Sequence, residues 1–378
     1  MNIIQVYQTN PFEEGQGGGV RYVKNLLSGL KTSCDSILFI GIGPKKESKG
    51  NISLIPVTKE LTGYIRFLFV LFLKLPFMNL SKYDIIHVHR LYFAIPFIIL
   101  KPHLKIVCSL HGRTFSVFES NYGSGLLSIF KILFKKIELF CLNKINYLVP
   151  VSQDVVNSFE LKYNNFKFFD QNIIGSMFDF SKFKIMPSNY LQDRFGNNNK
   201  YVLFLGRLAD VKNIDFLIEL WSRKFQNSKE IKLVIAGNGE LKDKLHRLNK
   251  KICNSNAPIF LGEIDPNDVP ILVSSSDLCV LSSKHEASPT IIKEALSSGI
   301  PVVTNEVGDV KEFIINGQNG LIIRKDYKTY SNSIELILNK NLNKDFVKSK
   351  STEKLLKCSV DFICNEYFRI YRNLKKEL

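Results

Sequence analysis

The sequence predicts an α/β protein built from two domains, each with a parallel β-sheet. The chain has 378 residues, which is more than one hydrophobic core usually supports. Short apolar runs, typical of buried strands, alternate with amphipathic segments through both halves of the chain. This alternation is typical of strand–helix–strand units and therefore of parallel sheets.

The first half of the chain begins with a predicted strand at 2–7, a glycine-rich turn and an amphipathic helix at 21–30. Gly18 and Gly19 lie in the turn, where the absence of a Cβ lets backbone amides approach a phosphate or an acceptor closely. The third glycine of a dinucleotide-binding fingerprint is missing. A nicotinamide-dependent dehydrogenase is therefore disfavoured.

Two further buried strands are predicted at 84–89 and 105–112, and they place His89 and His111 near their carboxyl ends. Open α/β sheets bind ligands at this edge. A single histidine at a strand end is more often structural than functional, so the residues alone leave both roles open. The segment at 147–153 is predicted to be the last strand of the first domain.

The second half begins with a predicted strand from Tyr201 that ends in Gly206 and Arg207, and Lys212 follows five residues after Arg207. Arginine offers a planar fork of donors and lysine a point charge, so together they can neutralise a departing diphosphate. A second strand at 231–236 runs into another glycine-rich turn, which contains Gly237.

The most informative segment is 286–303, which predicts a loop, a helix and a buried strand. Ser288 is a suitable N-cap, Pro289 suits the first helical position, and Gly299 follows the helix. A helix N-terminus attracts phosphate, so we expect a phosphate site along the backbone of Ser288, Pro289, Thr290 and Ile291. Two carboxylates flank this site and can accept hydrogen bonds from hydroxyl groups: Glu286 and Glu294.

This segment resembles the donor-site motif of retaining glycosyltransferases of family 4, in which two glutamates stand eight residues apart. Ala287 replaces the usual glycine of the motif. The resemblance implies the GT-B fold, with two facing Rossmann-like domains and a C-terminal helix that returns to the first domain. It implies Glu286 on the sugar hydroxyls, Glu294 on the ribose, and Arg207 with Lys212 on the diphosphate.

The resemblance continues through the rest of the chain. Gly206 to Lys212 is similar to the family's pattern that places two cations on the donor diphosphate, and the turn with Gly237 resembles the family's second strand–helix turn. His111 matches a family histidine that faces the reacting sugar. At the crossover between domains, Ser176 and Met177 replace the usual Asn-Gly. We expect an N-terminal acceptor domain at 1–172, completed by a helix at about 361–378, and a nucleotide-sugar domain at 173–360. The segment 188–200 is the most linker-like part of the chain.

Composition restricts the remaining alternatives. The seven cysteines are scattered, without a Cys-x-x-Cys pair, and no signal segment is recognised at the start. These features favour the cytoplasm and argue against a structural zinc site. We expect no cofactor and no metal, because no Asp-x-Asp motif is present and Arg207 and Lys212 can supply the positive charge.

The net charge is +16. Basic apolar segments at 61–78 and 125–140 lack the uninterrupted length of a membrane-spanning helix, but they suit the surface of an anionic membrane. Solvated lysines on packed helices are the alternative reading. In this hypothesis five basic and four aromatic side chains contact the membrane: Arg66, Lys74, Lys131, Lys135, Lys136, Phe67, Phe69, Phe72 and Phe134.

The leading interpretation is a retaining, metal-independent glycosyltransferase with a UDP- or GDP-sugar donor. The expected acceptor is a glycan or a polyprenyl-linked molecule in bacterial surface polysaccharide synthesis, at the inner face of the plasma membrane. A nucleotide-sugar epimerase or hydrolase of the same architecture is the alternative. A nucleic-acid-binding protein is suggested only by the basic charge, and no recognition motif supports it.

Overall fold

The computed structural model describes residues 1–13, 18–112, 127–163, 166–168 and 172–376, without the side chains of 127–132. These residues form two units, one of Met1–Met177 with Val360–Leu378 and the other of Phe178–Ser359. The sequence placed this boundary at 172/173 and the start of the returning segment near 361. Each unit contains its own sheet.

The sheet of the first unit has the strand order β3-β4-β2-β1-β5-β6-β7. Neighbouring strands are parallel, except that β3 is antiparallel to β4. The central strands are buried on both faces, as expected for a parallel sheet. The strands are β1 Asn2–Val6, β2 Ser36–Ile42, β3 Glu47–Lys49, β4 Ile52–Thr58, β5 Ile85–Val88, β6 Lys105–Leu110 and β7 Tyr147–Pro150.

The described helices of this unit follow the strands along the chain. The α-helices are α1 Gly18–Leu30, α2 Tyr64–Lys74, α3 Ile95–Leu100, α4 Leu127–Lys144 and α5 Gln153–Lys162. Short 3-10 helices at Leu75–Phe77 and Leu91–Ala94 continue α2 and precede α3. Helix α1 begins three residues earlier than predicted, so Gly18 and Gly19 are its first residues and not part of the preceding turn.

The C-terminal helix, Val360–Lys376, packs on the first unit against α1. Its buried residues recur at helical spacing and form one face: Ile363, Cys364, Tyr367, Ile370, Tyr371 and Leu374. A Cβ on Gly29 of α1 would lie 2.3 Å from the Cys364 sulfur, so only glycine permits this close packing. The expected return of the terminal helix to the first unit is confirmed.

The sheet of the second unit is entirely parallel, in the order β10-β9-β8-β11-β12-β13. Its strands are β8 Lys200–Leu205, β9 Ile231–Ala236, β10 Ile259–Gly262, β11 Leu278–Leu281, β12 Val302–Asn305 and β13 Gly320–Ile323. The described helices are α6 Gln192–Phe195, α7 Ile214–Leu220, α8 Lys242–Ile252, α9 Val269–Ser274, α10 Thr290–Ser297, α11 Val310–Phe313, α12 Tyr327–Lys340, α13 Lys344–Ser349 and α14 Thr352–Leu356.

The segment 188–200 is packed structure, so its interpretation as a linker is wrong. Leu191 is fully buried in the core of the second unit. Ser188 donates a hydrogen bond to the Ile271 carbonyl (2.9 Å), and Gln192 donates one to the Ser275 carbonyl (3.0 Å). Its polar composition resembles a linker because its side chains bond to backbone carbonyls of a neighbouring helix.

Strand order places a switch point in each sheet, where the chain turns from building one side of the sheet to building the other. The switch lies between β1 and β5 in the first unit and between β8 and β11 in the second. Ligands of open α/β sheets bind outside the carboxyl ends of the strands at such a point. The predicted site residues of each unit are therefore expected near its switch point.

Candidate active site

The loops that follow β8 and β11 are joined to each other at the switch point of the second sheet. The Ser282 hydroxyl contacts the carbonyls of Lys212 (3.2 Å) and Asn213 (3.0 Å). Asn213 has a left-handed backbone (φ 54°), and its side chain donates back to the Ser282 carbonyl at 3.2 Å. The Lys284 amide donates to the Val211 carbonyl at 2.8 Å. These bonds fix the backbone that carries Lys212.

Lys212 and Glu286 form an ion pair between these two loops. Lys212 Nζ lies 2.5 Å from Glu286 Oε1, and both side chains are largely buried. The Ser283 hydroxyl donates to the same carboxylate oxygen at 2.7 Å. A cation and a carboxylate are thus held side by side, where the cation can neutralise a phosphate and the carboxylate can accept from hydroxyl groups.

Arg207 follows β8 directly but does not join the Lys212–Glu286 pair in this structure. Its guanidinium lies 3.1 Å from Glu240 Oε2, in the turn after β9, and its side chain is 71% exposed. The same two turns approach closely at Gly237, where an added Cβ would lie 1.9 Å from the Gly206 carbonyl oxygen. Gly237 is therefore required for backbone packing between the turns. A Cβ on Gly206 would have only ordinary contacts, the closest at 3.6 Å.

The buried side chains of Lys293 and Asp309 form a group with the partly buried Ser288 at the beginning of α10. Lys293 Nζ lies 2.6 Å from the Ser288 hydroxyl and 2.9 Å from Asp309 Oδ2, and its side chain is fully buried. The Ser288 hydroxyl donates to the same Asp309 oxygen at 2.5 Å. A charged lysine is stable in such a place only when a carboxylate and further hydrogen bonds compensate for the lost water.

This group explains why the prediction of Ser288 as the N-cap is wrong. Helix α10 begins at Thr290, and Pro289 occupies the capping position without a side-chain hydrogen bond. The prediction of Pro289 as the first helical residue is wrong for the same reason. Thr290 and Ile291 supply the first two amides of the helix, which have no intrahelical acceptor by geometry.

Glu294 lies in the fifth position of α10 and is 3% exposed. Burial, together with the nearby charge of Glu294, raises the pKa of the Cys279 thiol in β11 to about 12. The carboxylate is therefore placed behind the first turn of the helix and close to the central strand. Among the described residues, no group of three or more His, Cys, Asp or Glu side chains is arranged to hold a metal ion.

Two family models match this chain in succession. The model for Glycosyltransferase Family 4 matches residues 16–166, and the model for Glycosyl transferases group 1 matches residues 191–353. Together they account for most of the sequence. The chain belongs to the family 4-like glycosyltransferases, which have the GT-B fold.

Known proteins agree with this assignment. An uncharacterized glycosyltransferase of Methanocaldococcus jannaschii is 25% identical over 311 residues, which cover 79% of this chain and 77% of the relative. Sucrose-phosphate synthase of Thermosynechococcus elongatus has a similar structure (TM-score 0.83, 17% identity, 100% of both chains). HepE of Anabaena in complex with UDP-glucose is another such structure (TM-score 0.74, 18% identity, 99% of this chain and 100% of HepE).

The first unit of this glycosyltransferase places His111 immediately after β6. Its Nε2 lies 3.4 Å from Nδ1 of His89, and the Tyr22 ring packs edge-on against it with ring centroids 4.6 Å apart. Burial and the positive charge of Arg90 lower the pKa of His111 to about 4. The imidazole is therefore neutral at physiological pH.

The two glycines at the start of α1 have different surroundings. A Cβ on Gly19 would lie 2.3 Å from the Tyr7 hydroxyl, whereas one on Gly18 would meet no atom of the described residues within 4 Å. Gly19 thus permits Tyr7 to pack at the end of β1. Glycines 15 and 17 of the same predicted turn lie outside the described residues.

The sequence analysis did not identify three residues of the candidate site in the second unit: Ser283, Lys293 and Asp309. Lys293 stands directly before Glu294 in a helix whose other residues are mostly apolar. A lysine in such a position is buried only when it is paired, so this position was a signal for a buried partner. That partner, Asp309, is 16 positions away along the chain, a separation that local patterns do not reveal.

Proposed function

We propose that this glycosyltransferase transfers a sugar from a UDP- or GDP-sugar to a glycan or polyprenyl-linked acceptor, with retention of the anomeric configuration. The observation that carries the proposal is the Lys212–Glu286 pair at the switch point of the second sheet. Nucleotide-sugar binding is further supported by HepE, a structural neighbour that binds UDP-glucose. Retention is supported by the resemblance of 286–295 to the family motif.

In this proposal, the donor lies at the carboxyl edge of the second sheet. Lys212 and Arg207 neutralise the diphosphate, and the amides of Thr290 and Ile291 add the partial positive charge of a helix terminus. Glu286 accepts hydrogen bonds from sugar hydroxyls and Glu294 from the ribose. The bond between the anomeric carbon and the diphosphate breaks while the acceptor hydroxyl attacks the same face. The hydroxyl proton leaves with the diphosphate, and the two cations stabilise the charge that develops there.

Release of UDP or GDP from a panel of nucleotide-sugars tests this function. We expect at least one donor to be consumed, and we expect turnover to continue in EDTA because Arg207 and Lys212 supply the positive charge. Complete loss on chelation, restored by Mg²⁺ or Mn²⁺, would show that the leaving-group chemistry is wrong. Absence of nucleotide release with every donor, with and without a lipid extract as acceptor, would refute the function.

The second part of the proposal is that the protein contacts the membrane through α2. Four side chains spaced four residues apart along α2 and its 3-10 extension are between 53% and 91% exposed; they are Ile65, Phe69, Leu73 and Phe77. Leu61, which precedes the helix, is also exposed. Exposed basic residues flank this apolar row: Lys59, Arg66, Lys74 and Lys82. A single-sided apolar row with flanking cations suits an anionic membrane surface, on which surface-glycan acceptors are assembled.

The aromatic residues named for this contact differ in exposure. Phe67 is fully buried, so the hypothesis that it contacts the membrane is wrong. Phe69 and Phe72 are exposed, and Phe134 is only partly exposed. The side chain of Lys131 lies outside the described residues, as does 113–126. Of the helices in the described ranges, none has the length and apolar character needed to cross a membrane.

Co-sedimentation with vesicles shows which of the two helices, α2 or α4, contacts the membrane. The substitutions Ile65→Ser, Phe69→Ser and Phe77→Ser together should reduce co-sedimentation with anionic vesicles by at least about tenfold, because they remove interfacial burial. Leu161→Ser and Leu336→Ser, also at exposed positions, provide the matched control and should bind as the parent does. Binding should weaken with salt, since screening acts over about 10 Å at 0.1 M.

Two outcomes would contradict membrane contact through α2. If the α2 variant binds like the parent while Lys135→Glu with Lys136→Glu abolishes binding, the contact is made by α4. If neither set changes co-sedimentation, the basic helices are only packed structure with solvated lysines.

A further inference from the structure

A continuous chain of hydrogen-bonded side chains connects His111 with the C-terminal helix inside the first unit. Its consecutive contacts measure between 2.6 and 3.4 Å. All members except His111 are buried, and His111 is partly exposed at the carboxyl edge of the sheet. In order, the chain runs through His111, His89, Gln5, Tyr371, His87, Ser109, Tyr367 and Tyr22.

The side-chain amide of Gln5 determines which atoms of the neighbouring side chains donate hydrogen bonds. Its Nε2 donates to the Tyr371 hydroxyl at 3.2 Å, and its Oε1 lies 2.8 Å from His89 Nε2. An amide oxygen only accepts, so His89 carries its proton on Nε2. Burial lowers the pKa of His89 well below its usual range, so the ring is neutral and its Nδ1 is an acceptor. His111 Nε2, the atom facing this acceptor, is therefore the donor.

The hydrogen bonds from Tyr371 onward run in the same donor-to-acceptor direction. Tyr371 accepts from Gln5, so its own proton is directed to His87 Nδ1 at 2.6 Å. His87, whose pKa burial also lowers well below its usual range, then donates through Nε2. The remaining links each have one donor and one acceptor in this order: His87 to Ser109 (2.7 Å), Ser109 to Tyr367 (2.6 Å) and Tyr367 to Tyr22 (2.8 Å).

We propose that Gln5 and Tyr371 are positioning residues that hold the His111 imidazole with its proton on Nε2, leaving Nδ1 to accept a hydrogen bond from a sugar hydroxyl. The proposal rests on the proposed function, since it takes the ligand to be a sugar. A neutral ring in this state selects a hydroxyl donor and transfers no proton. The C-terminal helix thereby contributes to substrate recognition without touching the substrate.

Nitrogen NMR of the full chain tests the proton positions directly. The protein has six histidines, so ring signals of the ¹⁵N-labelled protein can be assigned by single substitutions. At pH 7.5 we expect His87, His89 and His111 to be neutral and protonated on Nε2. A proton on Nδ1 of His89 or His111, or a charged ring at either position, would overturn the proposal. The measurement needs no sugar, so its result is independent of whether the proposed function holds.

The variant Tyr371→Phe tests the positioning role. It removes the acceptor of the Gln5 amide and the donor to His87, so the Gln5 amide can rotate. We expect altered ring-nitrogen signals of His89 and His111, and a loss of transfer between about tenfold and a hundredfold. Tyr201→Phe is the matched control, because it also removes one buried hydroxyl, which donates to the Gly196 carbonyl at 2.7 Å in the second unit. Equal signals and equal turnover in the two variants would refute the role.

Two substitutions of His111 identify which ring nitrogen contacts the substrate. The side-chain oxygen of His111→Asn stands close to the position of Nδ1, and the terminal amide of His111→Gln stands close to Nε2. We expect the asparagine variant to retain roughly tenfold more transfer than the glutamine variant, as expected for an acceptor that is kept rather than lost. Higher activity of the glutamine variant would assign the contact to Nε2 and contradict the proposal.

Discussion

Replacing Lys212 with alanine should lower turnover of the nucleotide-sugar by about 10²–10³-fold. The affinity for the donor should change much less, because charge on the diphosphate grows as the glycosidic bond breaks and the interaction is strongest in the transition state. Lys212 is held for this task by Glu286 Oε1 at 2.5 Å and by the loop that Ser282 fixes from β11. Initial rates and donor-binding calorimetry separate the two effects.

Arg207→Ala should also lower turnover, since Arg207 follows the same strand as Lys212 and its pair with Glu240 is exposed and therefore weak. Lys311→Ala removes an equally exposed lysine paired with Glu306, at 2.6 Å, and serves as the control with near-normal turnover. Near-normal turnover in both Lys212→Ala and Arg207→Ala would refute their assignment to the leaving group.

Breaking the buried Lys293–Asp309 pair should have the largest effect on stability. Lys293→Met leaves a buried carboxylate without its cation, and loss of one partner in such a pair typically costs about 3–5 kcal/mol. The fully buried ammonium contacts both Ser288 and Asp309, so the loop before α10 should loosen and donor affinity should fall as well. Denaturant unfolding of the second unit measures the free-energy change.

The double variant Lys293→Met with Asp309→Leu distinguishes a charge effect from a packing effect. Both partners are then apolar, so we expect it to regain a large part of the stability lost in the single variant. Donor affinity should stay low in the double variant, because Ser288 has lost both contacts. A single variant that unfolds within about 0.5 kcal/mol of the parent would show that the pair has no stabilising role.

Several central strands could be predicted from the sequence because each is a short, buried apolar run, namely β1, β5, β6, β7, β8, β9 and β12. Strands β2, β3, β4 and β10 were not predicted. The two glycine-rich turns with Gly206 and Gly237 could also be predicted, but their close approach is seen only in the structure. The helix start at 290 was missed because Ser288 satisfies a capping rule locally but bonds to Asp309 instead. A local rule fails where a distant side chain offers a stronger, charged partner.

The chain of hydrogen-bonded side chains that begins at His111 could not be predicted from local sequence patterns, for a similar reason. Gln5 and Tyr371 are separated by 366 positions, yet they share a hydrogen bond. The resemblance predicted that the C-terminal segment is a helix that returns to the first domain, but it did not indicate a role for the hydroxyls of Tyr367 and Tyr371. Only the return of the helix to the first sheet reveals that they complete a buried polar network.

Donor binding to Glu294→Ala tests the central claim most directly, namely that a nucleotide-sugar lies at the carboxyl edge of the second sheet. A thermal-shift panel of UDP, GDP, ADP and their sugars first identifies the donor, and calorimetry then compares the parent, Glu294→Ala and the control Lys311→Ala. We expect the parent and the control to bind one UDP- or GDP-sugar equally. We expect Glu294→Ala to bind it at least about tenfold more weakly, while unfolding remains cooperative. Unchanged affinity in a folded Glu294→Ala protein, or no nucleotide bound by the parent, would contradict the account.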